Sequence, residues 1–321
     1  MLSRVADSLY WTARYVERAE DTSRVLHVNF HAMLDADVPE HGDAWRDLLR
    51  MIGRDEVFRE HFTDYSAASV TEFLLWHPAN PDSVTACIAR ARENARGVRE
   101  EVSSELWEHL NRLHLFVSQR RNRAVIARPH EFLAHVREGS QAFQGVMKAT
   151  LPRGEAYDFL ELGAHLERAD AVARILALKL PLLLAPVPEA LATERTVQVL
   201  KFAGSMEAYR KHESDRVSGL SAARFLLLDA DAPRTVLFCL ERCLSSIRSI
   251  SSGSSAPERT IGRVAAQLSF ADASVDLRAL LENVQNGIAA TAEEIASAYF
   301  TTRVILPGPY AHQQQQLQQQ Q

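Results

Sequence analysis

The chain carries one long helical pattern twice, and this repetition limits the folds open to it more than any other feature. Tyr10–Leu26 reads YWTARYVERAEDTSRVL, and Leu160–Leu176 reads LELGAHLERADAVARIL. At an offset of 150, Glu17-Arg18-Ala19 falls on Glu167-Arg168-Ala169, and Arg24 falls on Arg174. One short match arises easily by chance, but others follow in order. Leu48-Leu49-Arg50 and Gly53 return as Val199-Leu200-Lys201 and Gly204. Phe58-Arg59 with His61 returns as Tyr209-Arg210 with His212, and Phe73-Leu74-Leu75 as Phe225-Leu226-Leu227. Pro81, Val84, Cys87 and Arg90 fall on Pro233, Val236, Cys239 and Arg242. The offset drifts only from 150 to 152, as small insertions in connecting loops would cause. The expected organisation is two related halves, residues 1–152 and 153–305, forming one body about a pseudo-two-fold axis. A glutamine-rich tail, residues 306–321, is expected to be disordered.

Helical periodicity runs through both halves and alternating β-branched runs are scarce, so the expected class is all-α, an internally duplicated helical bundle. The longest helices are expected near Ser3–Met33, Ala156–Leu183 and Ser274–Thr302, with others at Ser83–Ser103 and Glu105–Ala127. Loops are expected at Asp35–Gly42, His77–Asp82, Pro181–Pro188 and Ser251–Pro257, with Asp82 or Ser83 as an N-cap.

Hydrophobic residues make up 46% of the chain, enough for a sizeable core. A mean hydropathy of -0.17 marks a soluble protein. The formal charge of -5 gives no electrostatic footprint for nucleic acid as the main partner. Three cysteines without CxxC spacing fit a reducing compartment, with the thiols acting as small buried hydrophobes. Arg4, Asp7 and Arg14 interrupt any signal-like start, and Lys179 with three prolines interrupts the apolar stretch Leu176–Leu191. A cytoplasmic location without a membrane partner is the expectation.

The repeated helix concentrates the chemistry. In the second copy Leu160, Ala164, Glu167, Ala171, Arg174 and Leu178 share one helix face. The first copy places Tyr10, Arg14, Glu17, Asp21, Arg24 and Val28 there. Apolar neighbours draw Glu17, Glu167, Arg24 and Arg174 inward, and a buried charge without a partner costs several kcal/mol. Glu17 and Arg24 are separated by about 10.5 Å of helix rise, so partners must come from other helices. Antiparallel packing of the two copies would set Glu17 against Arg174 and Glu167 against Arg24. Three readings stay open: a closed salt-bridge network between the copies, a polar site with Glu17 and Glu167 as catalytic or ligand-binding carboxylates, or solvated faces. Arg18, Glu20, Arg168 and Asp170 are expected on the flanks. Arg59 and Arg210 are either anion binders at the edge of such a site or solvated, and His61 and His212 are expected at the surface.

Several chemistries find no support. There is no GxGxxG, GxxxxGK[ST] or GxSxG, and so no nucleotide cradle or hydrolase elbow. The Glu-x-x-His pairs of a di-iron bundle are missing, so no metal ligands are singled out and no cofactor is expected.

The sequence resembles the bacterial alpha-E domain family. The resemblance rests on Leu9-Tyr10-Trp11, Arg14-Tyr15, Glu17-Arg18-Ala19-Glu20, ARENAR (Ala91–Arg96), SSELW (Ser103–Trp107), Phe159-Leu160-x-Leu162-Gly163 and FLLLD (Phe225–Asp229) with Ala232-Pro233-Arg234. It departs at Ala13, where the pattern leads us to expect glycine, and at Ala164, where it leads us to expect arginine. The resemblance implies a helical partner of ATP-grasp-type ligases and transglutaminase-like proteins, in peptide or amide-bond synthesis or modification. It supplies no catalytic residues. The expectation is an accessory module presenting a peptide or amino-acid ligand through Glu17 and Glu167 with Arg14, Arg24, Arg59, Arg174 or Arg210. The alternative is an enzyme acting through the two glutamates.

Overall fold

A computed structural model describes residues 1–34, 42–212, 217–251 and 255–301. Most of the loop expected at 35–42, part of that at 251–257 and the whole tail at 306–321 lie outside these residues. The described residues form fifteen α-helices and no strand, in agreement with the all-α expectation. In order they are α1 (Ser3–Leu34), α2 (Gly42–Ile52), α3 (Asp55–His61), α4 (Ala67–Trp76), α5 (Val84–Gly97), α6 (Ser104–Gln119), α7 (Arg123–Ala127) and α8 (His130–Thr150). After them come α9 (Glu155–Leu183), α10 (Glu189–Ala203), α11 (Met206–His212), α12 (Gly219–Leu228), α13 (Val236–Ile250), α14 (Ala256–Ser269) and α15 (Leu277–Ile295). A π-helical turn, Ala296–Phe300, follows α15.

Local chemistry accounts for most boundaries. Ser66, Ser103, Asn122, Ser218 and Ser255 each accept a backbone N–H at a helix start. The Asn122 cap is why the helix expected over Glu105–Ala127 is instead two, α6 and α7. Gly204 ends α10 at φ 67, and Gly53 follows α2 at φ 74, a left-handed conformation that side chains rarely adopt. Pro181 sits inside the last turn of α9, so the helix runs into the expected proline-rich connection. Two sequence motifs are absorbed here as structure. Ser103 of SSELW caps α6, and Arg92 of ARENAR donates to Asn111 at 2.7 Å across α5 and α6.

Helices α1 and α9 form the centre. On α1 pack α5 and α8, with α6 between them; on α9 pack α13 and α15, with α14 between them. Both α2 and α10 also reach across, α2 onto α9 and α10 onto α1. Enclosed on so many sides, α9 is buried almost continuously from Phe159 to Ala173, and one seam no longer selects its interior residues. Leu160, Leu162, Leu166 and Leu176 are fully buried, each stabilising by about 1.5–3 kcal/mol relative to exposure. Cys87, Cys239 and Cys243 are free and buried, as expected.

The two central helices run parallel, which corrects the antiparallel expectation. The Met1 amino group meets Glu155 at 2.7 Å, Gly163 lies against the Tyr10 carbonyl, and Arg168 reaches Glu17, so contacts advance along both helices together. A Cβ on Gly163 would come within 2.2 Å of the Tyr10 carbonyl oxygen, and this lets the backbones approach there.

Candidate functional site

Parallel packing puts Glu17 and Glu167 at the same height, where two carboxylates repel each other. The arginine after each glutamate resolves the conflict by reaching across to the other helix. Arg18 donates through Nε to Glu167 Oε1 at 2.6 Å and through Nη2 to Oε2 at 2.9 Å. Arg168 does the same for Glu17, Nε to Oε1 at 2.7 Å and Nη2 to Oε2 at 2.9 Å. Both are bidentate forks, the strongest form of charge-assisted hydrogen bond. Glu17 is therefore paired with Arg168 instead of Arg174, and Glu167 with Arg18 instead of Arg24. Arg18 and Arg168 belong to the site and not to its flanks.

Each glutamate then has its own surroundings. Glu167 Oε2 also accepts from Arg14 Nε at 2.7 Å, while Arg14 Nη1 donates to the Tyr10 hydroxyl at 3.0 Å. Arg18 Nη1 donates to Asp82 at 2.6 Å, and the other oxygen of Asp82 is paired with Arg54. Asp82 thus serves the network and not the cap of α5. On the other side Arg168 Nη1 donates to the Pro233 carbonyl at 3.2 Å. Arg234 stands 3.5 Å from Glu17 and 2.9 Å from Glu20, and donates to Asp21 at 3.1 Å. Glu20, fully buried and not flanking, also pairs with Arg24 of its own helix. Arg174 pairs with Asp170 at 3.3 Å and donates to the Ile52 carbonyl at 3.0 Å, beside Gly53.

These contacts fix the charge states. Burial by itself would raise the Glu17 carboxyl, but Arg168 and then Arg234 override it and hold it at about 2. Burial likewise works against ionised Glu167, and Arg14 with Arg18 holds it well below the usual carboxylate range. Asp21 goes the other way: burial and the neighbouring Glu17 charge push it up to about 7. Burial and the nearby Arg234 push Arg24 well below its ordinary value. Burial pushes the thiols of Cys87 and Cys239 up to about 12, so neither is a ready nucleophile.

Both glutamates are thus ionised and held on both oxygens. Neither carries a proton to donate, and both oxygens of each already accept from guanidinium groups. The cavity beside them measures about 120 Å³ and is lined by Arg18, Gly53, Arg54, Asp82, Glu167 and Arg174. That is below the roughly 300–1,000 Å³ of ordinary small-molecule sites. Glu17 and Arg24 do not line it. Arg59 and Arg210 stay out of the site: both are exposed, and the acid that Arg59 approaches among the described residues is Asp55, at 3.6 Å. His61 and His212 lie at the surface as expected.

Sequence reasoning missed Arg18, Arg54, Asp82, Arg168 and Arg234 as members of the network. The repetition of a whole Glu-Arg pair was the available signal for two of them. It also missed a second cluster. His27 and His31, four apart on α1, meet His130 at the start of α8, with one nitrogen of each ring within 4.8 Å of the others.

An uncharacterised protein of Mycobacterium bovis is 25% identical to the chain, over 95% of the chain and 37% of its own length. Uncharacterised proteins of two Mycobacterium tuberculosis strains are 25% and 24% identical over the same shares. The chain therefore spans 37% of the length of these curated relatives. No solved structure matches it. The Alpha-E family model, described as a predicted alpha-helical domain with a conserved ER motif, matches residues 1–300. That span includes both Glu-Arg pairs of the α1–α9 contact, and the chain belongs to the Alpha-E family.

Proposed function

We propose that this protein is a helical accessory module that works with an ATP-grasp-type ligase, and with a transglutaminase-like protein, in peptide or amide-bond synthesis or modification in the bacterial cytoplasm. The observation that carries this reading is the length of the relatives. A sequence covering 95% of this chain takes up only 37% of theirs, as a module working beside other domains would. The arginine forks that hold both oxygens of Glu17 and of Glu167 support a scaffold over an enzyme acting through those carboxylates. The same reading includes an internal duplication, residues 1–152 and 153–305. It is supported by the ordered sequence matches, by the reciprocal forks and by the like surroundings of α1 and α9.

The test is co-expression of the full chain with the ATP-grasp-type ligase of its source organism. The expected result is a complex that survives size-exclusion chromatography and a change in the ligase's substrate-dependent ADP release. A ligase that neither binds the chain nor changes its rate would overturn the reading.

A further inference from the structure

His27 and His31 stand one turn apart on α1, the spacing at which two imidazoles on one helix face hold a single ion. Their Nε2 atoms are 3.1 Å apart. His130, from the first turn of α8, closes the set with ring centroids 5.0 Å from His31 and 5.5 Å from His27. One nitrogen of each ring lies within 4.8 Å of the other two. Three imidazoles around one divalent ion at about 2.0–2.1 Å sit roughly 3.3 Å from one another, so small side-chain rotations complete the geometry. The Nδ1 atoms of His27 and His130 are buried without a hydrogen-bond partner. Three rings brought together from two helices share one hydrogen bond, between the Nε2 atoms of His27 and His31, and leave two buried Nδ1 atoms unsatisfied.

We propose that His27, His31 and His130 form a binding site for a borderline divalent transition-metal ion, zinc in the first place. Imidazole suits zinc and its neighbours and not calcium or magnesium. With three protein ligands, one coordination position stays open. Beside two of the three ligands, between α1 and α10, lies a cavity of about 470 Å³ lined by His27, His31, Glu194, Gln198 and Lys201. Lys201 gives that cavity a cation and Glu194 an anion, so the open position suits water or a ligand carboxylate. The helix reads HVNFH, with Val28 where a zinc protease of the HExxH type has its glutamate, so the site is not assigned peptide hydrolysis. At an offset of 150, His27 and His31 fall on Ala177 and Pro181, so the second repeated helix offers no counterpart. The proposal is independent of a ligase partner.

The test uses the full chain, stripped with a chelator and titrated with Zn²⁺ against a chromophoric competitor, and with Co²⁺ followed by its visible absorption. One Zn²⁺ per chain is expected, with a Co²⁺ spectrum of low coordination number. His31→Ala and His130→Asn, each shown to keep its helical circular dichroism, are expected to weaken Zn²⁺ binding at least 100-fold. His61→Ala, which changes a histidine outside the cluster, is expected to leave it unchanged. If the full chain takes up no stoichiometric Zn²⁺, the proposal fails. It fails equally if binding persists undiminished in both folded variants, or if His61→Ala weakens it as much as they do.

Discussion

The surroundings of Glu167 and of Glu17 solve one problem with different materials. Each carboxylate is gripped by the guanidinium fork that follows its counterpart on the opposite helix. Beyond the fork the two diverge. Glu167 gains a second arginine, Arg14, whose register partner is Ala164. Asp82 balances Arg18 and Arg54 there, while the matching positions on the other side hold Arg234 and Ser205. Glu17 instead shares Arg234 with Glu20 and Asp21. One side is rich in arginine and the other in carboxylates. The fork is the common element because parallel packing forces the two glutamates to one height.

The largest effect expected from breaking this comparison is at the forks. Removing one member of a buried pair costs about 3–5 kcal/mol. Arg168→Ala should reach that range, because the ion-pair partner it leaves to Glu17 among the described residues is Arg234, at 3.5 Å. Arg18→Ala should cost measurably less, because Arg14 still holds Glu167 at 2.7 Å. Urea denaturation followed by circular dichroism reads both, and equal losses would contradict the asymmetry.

Next in size is the point of closest approach. Gly163→Ala drives a methyl group into the Tyr10 carbonyl and should destabilise by about 1–3 kcal/mol, the usual range for overpacking. Gly97→Ala, with no atom within 4 Å of the added carbon, serves as the control and should be neutral or slightly stabilising. A Gly163→Ala protein as stable as the parent would mean that the helices are farther apart than described.

The acids of the Glu17 side should pull stability in opposite directions with pH. Glu17 falls from an ordinary value of 4.5 to about 2, so its contribution is present above pH 4.5 and lost as the pH drops towards 2. Asp21 rises from 3.8 to about 7, so its contribution is full below pH 3.8 and lost as the pH climbs through 7. Asp21→Asn should therefore raise the denaturation midpoint at pH 8 relative to pH 5, by on the order of 1 kcal/mol of stability. A pH-independent difference between the two proteins would show that Asp21 is an ordinary ion-paired carboxylate.

The smallest effects belong to Arg59 and Arg210. Exposed arginines outside any fork change stability by no more than about 0.5 kcal/mol. Arg59→Ala and Arg210→Ala should leave the urea midpoint within error, and a large loss at either would return it to the network.

The sequence by itself determined the helical class, the central place of the repeated helix, the burial of Glu17, Glu167 and the cysteines, and the solvated positions of His61 and His212. These follow from local propensity and apolar periodicity, which act within a few turns of one chain segment. The tertiary structure alone decided the rest. Helix direction is invisible to a periodic pattern, so antiparallel and parallel packing read alike until the contacts of Met1 and Tyr10 with α9 separate them. With the direction reversed, every partner changed: Arg168 replaced Arg174, and Arg18 with Arg14 replaced Arg24. Asp82 and Arg234 entered from turns far along the chain, and His130 joined His27 and His31 from another helix. Spacing along a helix predicts which residues share its face. What that face meets depends on where distant helices come to rest, because charge pairing acts through space over a few ångströms and takes no account of sequence distance.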